Sequence, residues 1–178
     1  MPDYVAQPQL LQMALDEKDI VYTPDWVARD MVEYFKPAGK ILEPCIGEGA
    51  FIRQLPENTL WCEIRKGRDF FTWNETVDWI IGNPPYRLIK EWLQHSFCIA
   101  NDIVYLMPMN SPFNSMERMR IILNWGGIKV IRAYGNGSLF GMDYGFAVGA
   151  FWFQRDYRGG TDINYCECEE ITYKYWTV

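Results

Sequence analysis

Apolar residues fall in short blocks along this chain, and the period of those blocks changes from helical spacing to near-continuous runs and back. Behind Thr23-Pro24-Asp25, the residues Trp26, Val27, Met31, Tyr34 and Phe35 recur at helical spacing. A helix is expected there, with Thr23 as cap and Pro24 in the first turn, ended by Pro37-Ala38-Gly39. Lys40-Ile41-Leu42-Glu43 reads as a short buried strand that runs into the turn Pro44-Cys45-Ile46-Gly47-Glu48-Gly49, followed by a short helix up to Leu55. Residues 59–63 form a second expected strand and residues 77–81 a third, the most apolar of the early ones. Asn83-Pro84-Pro85-Tyr86 must leave that strand, because two prolines cannot continue a central ladder.

Residues 88–100 give a helix with Leu88, Ile89, Trp92, Leu93 and Phe97 on one face, then 102–107 a strand stopped by Pro108. Residues 115–125 are an amphipathic helix ended by Gly126-Gly127, and 129–134 and 146–154 are strands joined by a Gly-rich segment at 135–145. Strand and helix alternate until that last pair. The pattern predicts an α/β fold with a mostly parallel sheet, crossover helices on both faces and a C-terminal antiparallel hairpin. A length of 178 residues suits one domain. Residues 1–20 read as an N-terminal arm with a short helix at 9–17, residues 21–154 as the domain, and residues 155–178 as a short extension with a strand-like stretch at 162–175.

Composition narrows the function classes. Hydrophobic residues at 49% and charged residues at 22% indicate a globular chain rather than a disordered one. Most of the aromatic residues, 16% of the total, are expected to fill the core. A net charge of −6 argues against strong stand-alone binding to nucleic acid, although Arg65-Lys66-Gly67-Arg68 and Arg118 with Arg120 leave room for local basic strips. The longest apolar runs fall far short of a bilayer span and the N-terminus lacks a signal-peptide pattern, so no membrane partner is expected. Five cysteines, an odd number mostly within apolar segments, fit a reducing cytoplasmic location. Cys166 and Cys168 have no matching Cys/His pair and His95 is the single histidine, so no metal site is expected.

Two stretches carry chemistry. A strand ending in Glu43 and followed by Gly47-Glu48-Gly49 is a widespread nucleotide-site arrangement, in which glycines let backbone approach a ligand at the carboxyl end of a sheet. Glu63, ending the next strand, stands where such sites place a carboxylate for ribose hydroxyls; it is equally readable as a surface carboxylate. In Asn83-Pro84-Pro85-Tyr86, the Asn83 side-chain carbonyl and the Pro84 main-chain carbonyl can both accept from one NH₂ group. Two acceptors so placed draw a conjugated nitrogen toward tetrahedral geometry, localise its lone pair and stabilise the charge that develops on it. Pro84 and Pro85 hold the carbonyls rigidly, and Tyr86 offers a flat face to a planar group.

Tyr22-Thr23-Pro24, then Leu42-Glu43-Pro44-Cys45-Ile46-Gly47-Glu48-Gly49-Ala50-Phe51, then Asn83-Pro84-Pro85-Tyr86 occur in the order of the gamma-ordered DNA adenine-N6 methyltransferases, which the chain resembles over most of residues 21–154. The resemblance implies the Rossmann-like class I methyltransferase fold with its seven-stranded type of sheet, and S-adenosylmethionine as cofactor. It places Tyr22 and Thr23 near the methionine carboxylate, Glu43, Pro44, Gly47 and Gly49 at the methionine end, and Glu63 on the ribose. Asp69 is placed on the cofactor's adenine amino group with Phe70 beside it, and Asn83 next to the transferred methyl. Tyr86 and Phe140 would contact the target base; Phe140 reads equally well as a hairpin residue tucked into the core.

Two departures from that family shape the expectations about partners. Glu63 and Asp69 are only a few residues apart where the family inserts a helix, and no segment is long enough for a target-recognition domain. The expected partner is therefore DNA, single-stranded or presented by another subunit, with a specificity subunit or a second copy as the protein partner. Asn83, rather than Ser, favours adenine N6 over cytosine N4. The alternatives are methylation of RNA adenine or of a protein glutamine amide, and a catalytically idle subunit that accompanies an active chain.

Overall fold

Pro24 ends an extended segment, and its carbonyl accepts from the Val27 and Ala28 amides of the helix that follows, at 3.0 and 3.2 Å. The computed structural model describes residues 21–140 and 146–167, so the expected arm at 1–20 and the end of the extension lie outside it. Helix α1 (Asp25–Phe35) buries Val27, Ala28, Met31 and Phe35, the apolar stripe expected of it, and stops at Lys36 in a left-handed cap. Strands β1 (Ile41–Glu43), β2 (Leu60–Trp61), β3 (Trp79–Gly82) and β4 (Asp102–Pro108) follow, with helix α2 (Ile89–Ile99) between the last two. Helix α3 (Met116–Trp125) leads directly into β5 (Gly126–Asn136), and β6 (Ala147–Arg155) and β7 (Asp162–Tyr165) complete the described chain.

These strands form one seven-stranded sheet in the order β2-β1-β3-β4-β6-β5-β7. The pairs β2/β1, β1/β3 and β3/β4 are parallel, whereas β6 runs antiparallel to both β4 and β5. The carboxyl ends of β1, β3 and β4 therefore lie along one edge, where the loops carrying Pro44 to Gly49 and Asn83 to Tyr86 emerge. On one face, α1 and the turn around Phe51 and Leu55 cover Ile81, Val104, Leu106 and Val148. On the other, α2 and Ile122 of α3 cover Ile80, Ile103, Tyr105 and Phe151. Both faces carry helices, as the alternation of elements predicts.

Three local features have physical causes; the first and third differ from the sequence expectation, and the second agrees with it. Residues 47–55 make hydrogen-bonded turns, with Gly49 donating to Ile46 at 2.6 Å and Arg53 to Gly49 at 3.2 Å, instead of a helix. Gly47 and Gly49 hold positive φ angles of 49° and 88° there, which a helix cannot contain. The six residues from Ile64 to Asp69 cannot hold a crossover helix; 3₁₀ turns at Ile64–Lys66 and Phe70–Thr72 replace it, capped by the side chains of Glu63 and Asp69. Gly126 and Gly127 open β5 rather than a loop, because a Cβ at Gly126 would lie 2.0 Å from the Gln154 carbonyl, so only glycine fits.

Of the strand-like stretch expected at 162–175, Asp162–Tyr165 form β7, which pairs parallel to β5 at the far edge, and residues 168–175 lie outside the described residues. A polar clamp holds this half to α1. Arg132 of β5 forms a bidentate pair with Asp30 at 2.6 Å through both Nε and Nη2, and the Tyr134 hydroxyl donates to the same carboxylate at 2.6 Å. At the opposite edge, the Arg68 guanidinium lies 3.8 Å from the centre of the Trp61 ring.

Candidate functional site

The loops at the carboxyl edge of the sheet enclose a cleft of about 580 Å³. Its wall includes Tyr22, Thr23, Glu43, Pro44, Gly47, Glu63, Asp69, Phe70 and the whole of Asn83-Pro84-Pro85-Tyr86. Residues separated by up to 64 positions thus meet around one space. Of the residues singled out from the sequence, Gly49 sits in the same turn but off the wall, and its positive φ shapes that turn. Phe140 ends a 3₁₀ turn at Gly137–Phe140, and its side chain lies outside the described part of the structure.

At one end, β1 delivers Glu43 into a buried position, 1% exposed. Burial pushes its carboxyl up to about 8; the Ile52 backbone and the Arg53 charge offset part of that shift, and Glu63 adds to it. Its Oε2 is buried without a hydrogen-bond partner. Glu63 is also buried, but both of its oxygens are engaged: Oε2 accepts from the Gly47 amide at 2.9 Å and Oε1 from the Arg65 amide at 3.0 Å. A Cβ at Gly47 would meet nothing within 4 Å, so this backbone faces open space.

Toward the other end, Asp69 accepts from the Phe71 amide through Oδ1 at 2.9 Å. Phe70 is 3% exposed and stacks on Trp92 of α2 with ring centres 4.5 Å apart. Phe71 and His95 approach this pair edge-on. The sequence reading missed Trp92 as a wall residue, having assigned it only to the apolar face of α2; its indole N–H is buried without a partner.

Between the two ends lies the loop after β3. The Asn83 amide nitrogen donates to the Val21 carbonyl at 2.8 Å and to Thr23 Oγ1 at 3.1 Å. Its Oδ1 is buried and accepts no hydrogen bond. The Cys45 thiol, kept protonated by burial, donates to the Asn83 main-chain carbonyl at 3.2 Å, and the Leu88 amide takes the Pro85 carbonyl at 3.1 Å. Among the described residues, the Pro84 carbonyl has no donor. Burial raises the Tyr86 hydroxyl well above its ordinary range; Asn83 is near enough to offset part of this, yet the hydroxyl closes no hydrogen bond. Gly82 lets the two loops touch, since a Cβ there would stand 3.1 Å from Pro44 Cδ. The described residues contain no cluster that could hold a metal ion and no helix long and apolar enough to cross a membrane.

No protein-family model matches the chain, and no curated protein matches it by sequence. Solved structures do match its fold. One is a type I restriction-modification methyltransferase subunit from Streptococcus thermophilus, with a TM-score of 0.57 at 15% identity over 83% of this chain and 47% of that one. Another is a candidate class I S-adenosylmethionine-dependent methyltransferase from Listeria monocytogenes, with a TM-score of 0.56 at 12% identity over 93% and 74% of the two chains. A third is a candidate RNA methyltransferase from Pyrococcus horikoshii, with a TM-score of 0.52 at 12% identity over 77% and 88%. The fold is thus that of class I methyltransferases. The chain spans about half the length of the restriction-system subunits that it matches.

Proposed function

We propose that this chain is an S-adenosylmethionine-dependent methyltransferase that acts on the N6 amino group of adenine in DNA. The observation that carries this reading is the state of Asn83: its amide nitrogen is bonded on one side, and its carbonyl oxygen is left buried without a partner in the wall of the cleft. A buried acceptor without a donor costs about 1–3 kcal/mol. An incoming NH₂ group, with two hydrogens to give to Asn83 Oδ1 and the Pro84 carbonyl, relieves that cost, which no donor among the described residues does.

The cleft fits the cofactor by the chemistry of its walls. Glu43, Glu63 and Asp69 put carboxylate oxygens along it, suited to ribose hydroxyls, an adenine amino group and a cationic methionine end, and Phe70 closes one end with an aromatic edge. When bound, S-adenosylmethionine supplies a methyl group made electrophilic by its sulfonium. The chain's own residues orient the nucleophile: Asn83 Oδ1 and the Pro84 carbonyl accept its two hydrogens, which localises the lone pair and stabilises positive charge growing on nitrogen. Tyr86 supplies the flat face for the ring that carries the amino group.

The charge of −6 favours single-stranded DNA, or DNA presented by a specificity subunit or a second copy, over unaided extraction of a base from a duplex. A cytoplasmic location belongs to the same proposal. RNA is the second reading, favoured by the likeness to the compact Pyrococcus horikoshii protein, of which the match covers 88%. Transfer of tritiated methyl groups to single-stranded DNA, duplex DNA, RNA and cell protein, with the labelled product identified, decides among these. N6-methyl-2′-deoxyadenosine in DNA is the expected product. Label in protein alone, or no cofactor binding by the folded chain in calorimetry, would overturn the proposal.

A further inference from the structure

We infer that Thr23 is a positioning residue for the reaction, anchoring the Asn83 carboxamide in the rotamer that turns its oxygen toward the amino group to be methylated. This rests on the methyl-transfer reading above and adds a role for the segment that precedes α1. A carboxamide has nearly the same shape with its oxygen and nitrogen exchanged, so packing alone does not choose between the two. Here the Val21 carbonyl makes the choice, and Thr23, whose hydroxyl can donate or accept, adds a second anchor that holds the chosen rotamer. The Val21 carbonyl can only accept, and it takes the Asn83 amide at 2.8 Å; Thr23 Oγ1 takes the same NH₂ at 3.1 Å. Oδ1 is then obliged to lie on the other side, where it is buried without a donor. With the carboxamide reversed, an NH₂ would oppose the incoming NH₂, and the acceptor needed for transfer would be absent.

A second observation frees Thr23 for this task. A threonine before a helix ordinarily caps it, yet the Val27 and Ala28 amides are taken by the Pro24 carbonyl, and no side chain caps the helix. The hydroxyl points instead across 60 positions of sequence to the loop after β3. Having accepted from Asn83, it retains its own proton, which it can donate to an anionic group in the cleft.

The test compares the full-length chain with Thr23→Val, which removes the acceptor while keeping the shape, and Thr23→Ser, which restores it. The Asn83 side-chain NH₂ resonance, identified by its loss in Asn83→Ala, gives a readout independent of turnover. Thr23→Val is expected to shift that resonance and speed its hydrogen exchange, and Thr23→Ser to return both toward wild type. At saturating S-adenosylmethionine, kcat for methylation of an adenine-containing oligonucleotide should fall roughly 10²-fold in Thr23→Val, the scale of a misplaced reacting group. Cofactor Kd should move far less, and Thr23→Ser should recover most of kcat. An unchanged Asn83 resonance in Thr23→Val overturns the inference, as does a loss confined to cofactor Kd, which would make Thr23 only a cofactor ligand. If wild type transfers no methyl group while its Asn83 resonance still depends on Thr23, the anchor stands and the methyl-transfer reading fails, taking the catalytic role of Thr23 with it.

Discussion

The Gly47 amide donates to the Glu63 carboxylate at 2.9 Å, tying the turn after β1 to the end of β2. The second carboxylate oxygen takes the Arg65 amide, so one side chain fixes both walls of the cleft at this end. Glu63→Ala removes both acceptors. It should destabilise the fold by about 1–3 kcal/mol in chemical denaturation, because two amides lose partners in a mostly buried place. It should also weaken S-adenosylmethionine binding at least tenfold by calorimetry. Full affinity in a folded Glu63→Ala protein would remove Glu63 from the cofactor site.

Asn83→Asp is isosteric but sets an oxygen 2.8 Å from the Val21 carbonyl, acceptor against acceptor. Methyl transfer at pH 7.5 should fall by roughly 10²-fold, comparable to losing one preorganised partner at a reacting centre. Activity should partly return as pH is lowered, because a protonated carboxyl can donate to Val21. A pH profile parallel to wild type would show that the Val21 contact does not orient this side chain.

Glu43 titrates at about 8 in the fold against 4.5 for the free side chain, chiefly through burial. Between those values the unfolded chain has lost this proton and the native chain keeps it. Stability from this group is thus greatest at low pH and declines as pH rises toward 8, by up to about 1.4 kcal/mol per pH unit. A cationic ligand near Glu43 favours the ionised form, so S-adenosylmethionine binding at pH 7 should release a proton and tighten as pH approaches 8. Calorimetry in buffers of different ionisation enthalpy measures that proton directly. Glu43→Gln should abolish the release and flatten the stability profile above pH 5.

Asp30 behaves in the opposite sense. Burial alone would raise its carboxyl, but the hydrogen bonds from Arg132 and Tyr134 and the Arg132 charge hold it below the usual range. Its contribution is present at neutral pH and is lost as pH falls through that lowered value. Asp30→Ala strands a largely buried guanidinium and should cost about 3 kcal/mol, seen as a lower denaturation midpoint. The cleft does not include Asp30, so cofactor affinity of the folded variant should change little.

The features legible from sequence are those written in consecutive residues. The apolar run ending at Ile81 makes β3, the two prolines turn the chain out of it, and Val27, Met31 and Phe35 give the buried stripe of α1. What could not be read depends on partners far along the chain. Thr23 reads as a helix cap because its neighbours say so; only the folded chain brings Asn83 to its hydroxyl. Trp92 sits in an ordinary helical stripe, and its place in the cleft wall follows from Phe70 stacking on it. The turns at 47–55 misled the sequence reading because Phe51 and Leu55 have helical spacing, whereas the φ of Gly49 decides against a helix. The clamp of Asp30, Arg132 and Tyr134 joins residues over 100 positions apart and leaves no local signature.

Replacing a crossover helix by two short turns leaves β2 at the margin of the sheet with only Leu60 and Trp61. A margin strand with free main-chain groups invites a neighbouring chain to zip onto it. Two residues provide too short a template for that, and the cations of Arg68 and Lys66 lie over the one large ring it shows. The economy that brings Glu63 and Asp69 to the same cleft within six residues thus also leaves this margin too short to template another chain. Trading Arg68 and Lys66 for neutral residues should accordingly be felt first in solubility, before any change in the chemistry of the cleft.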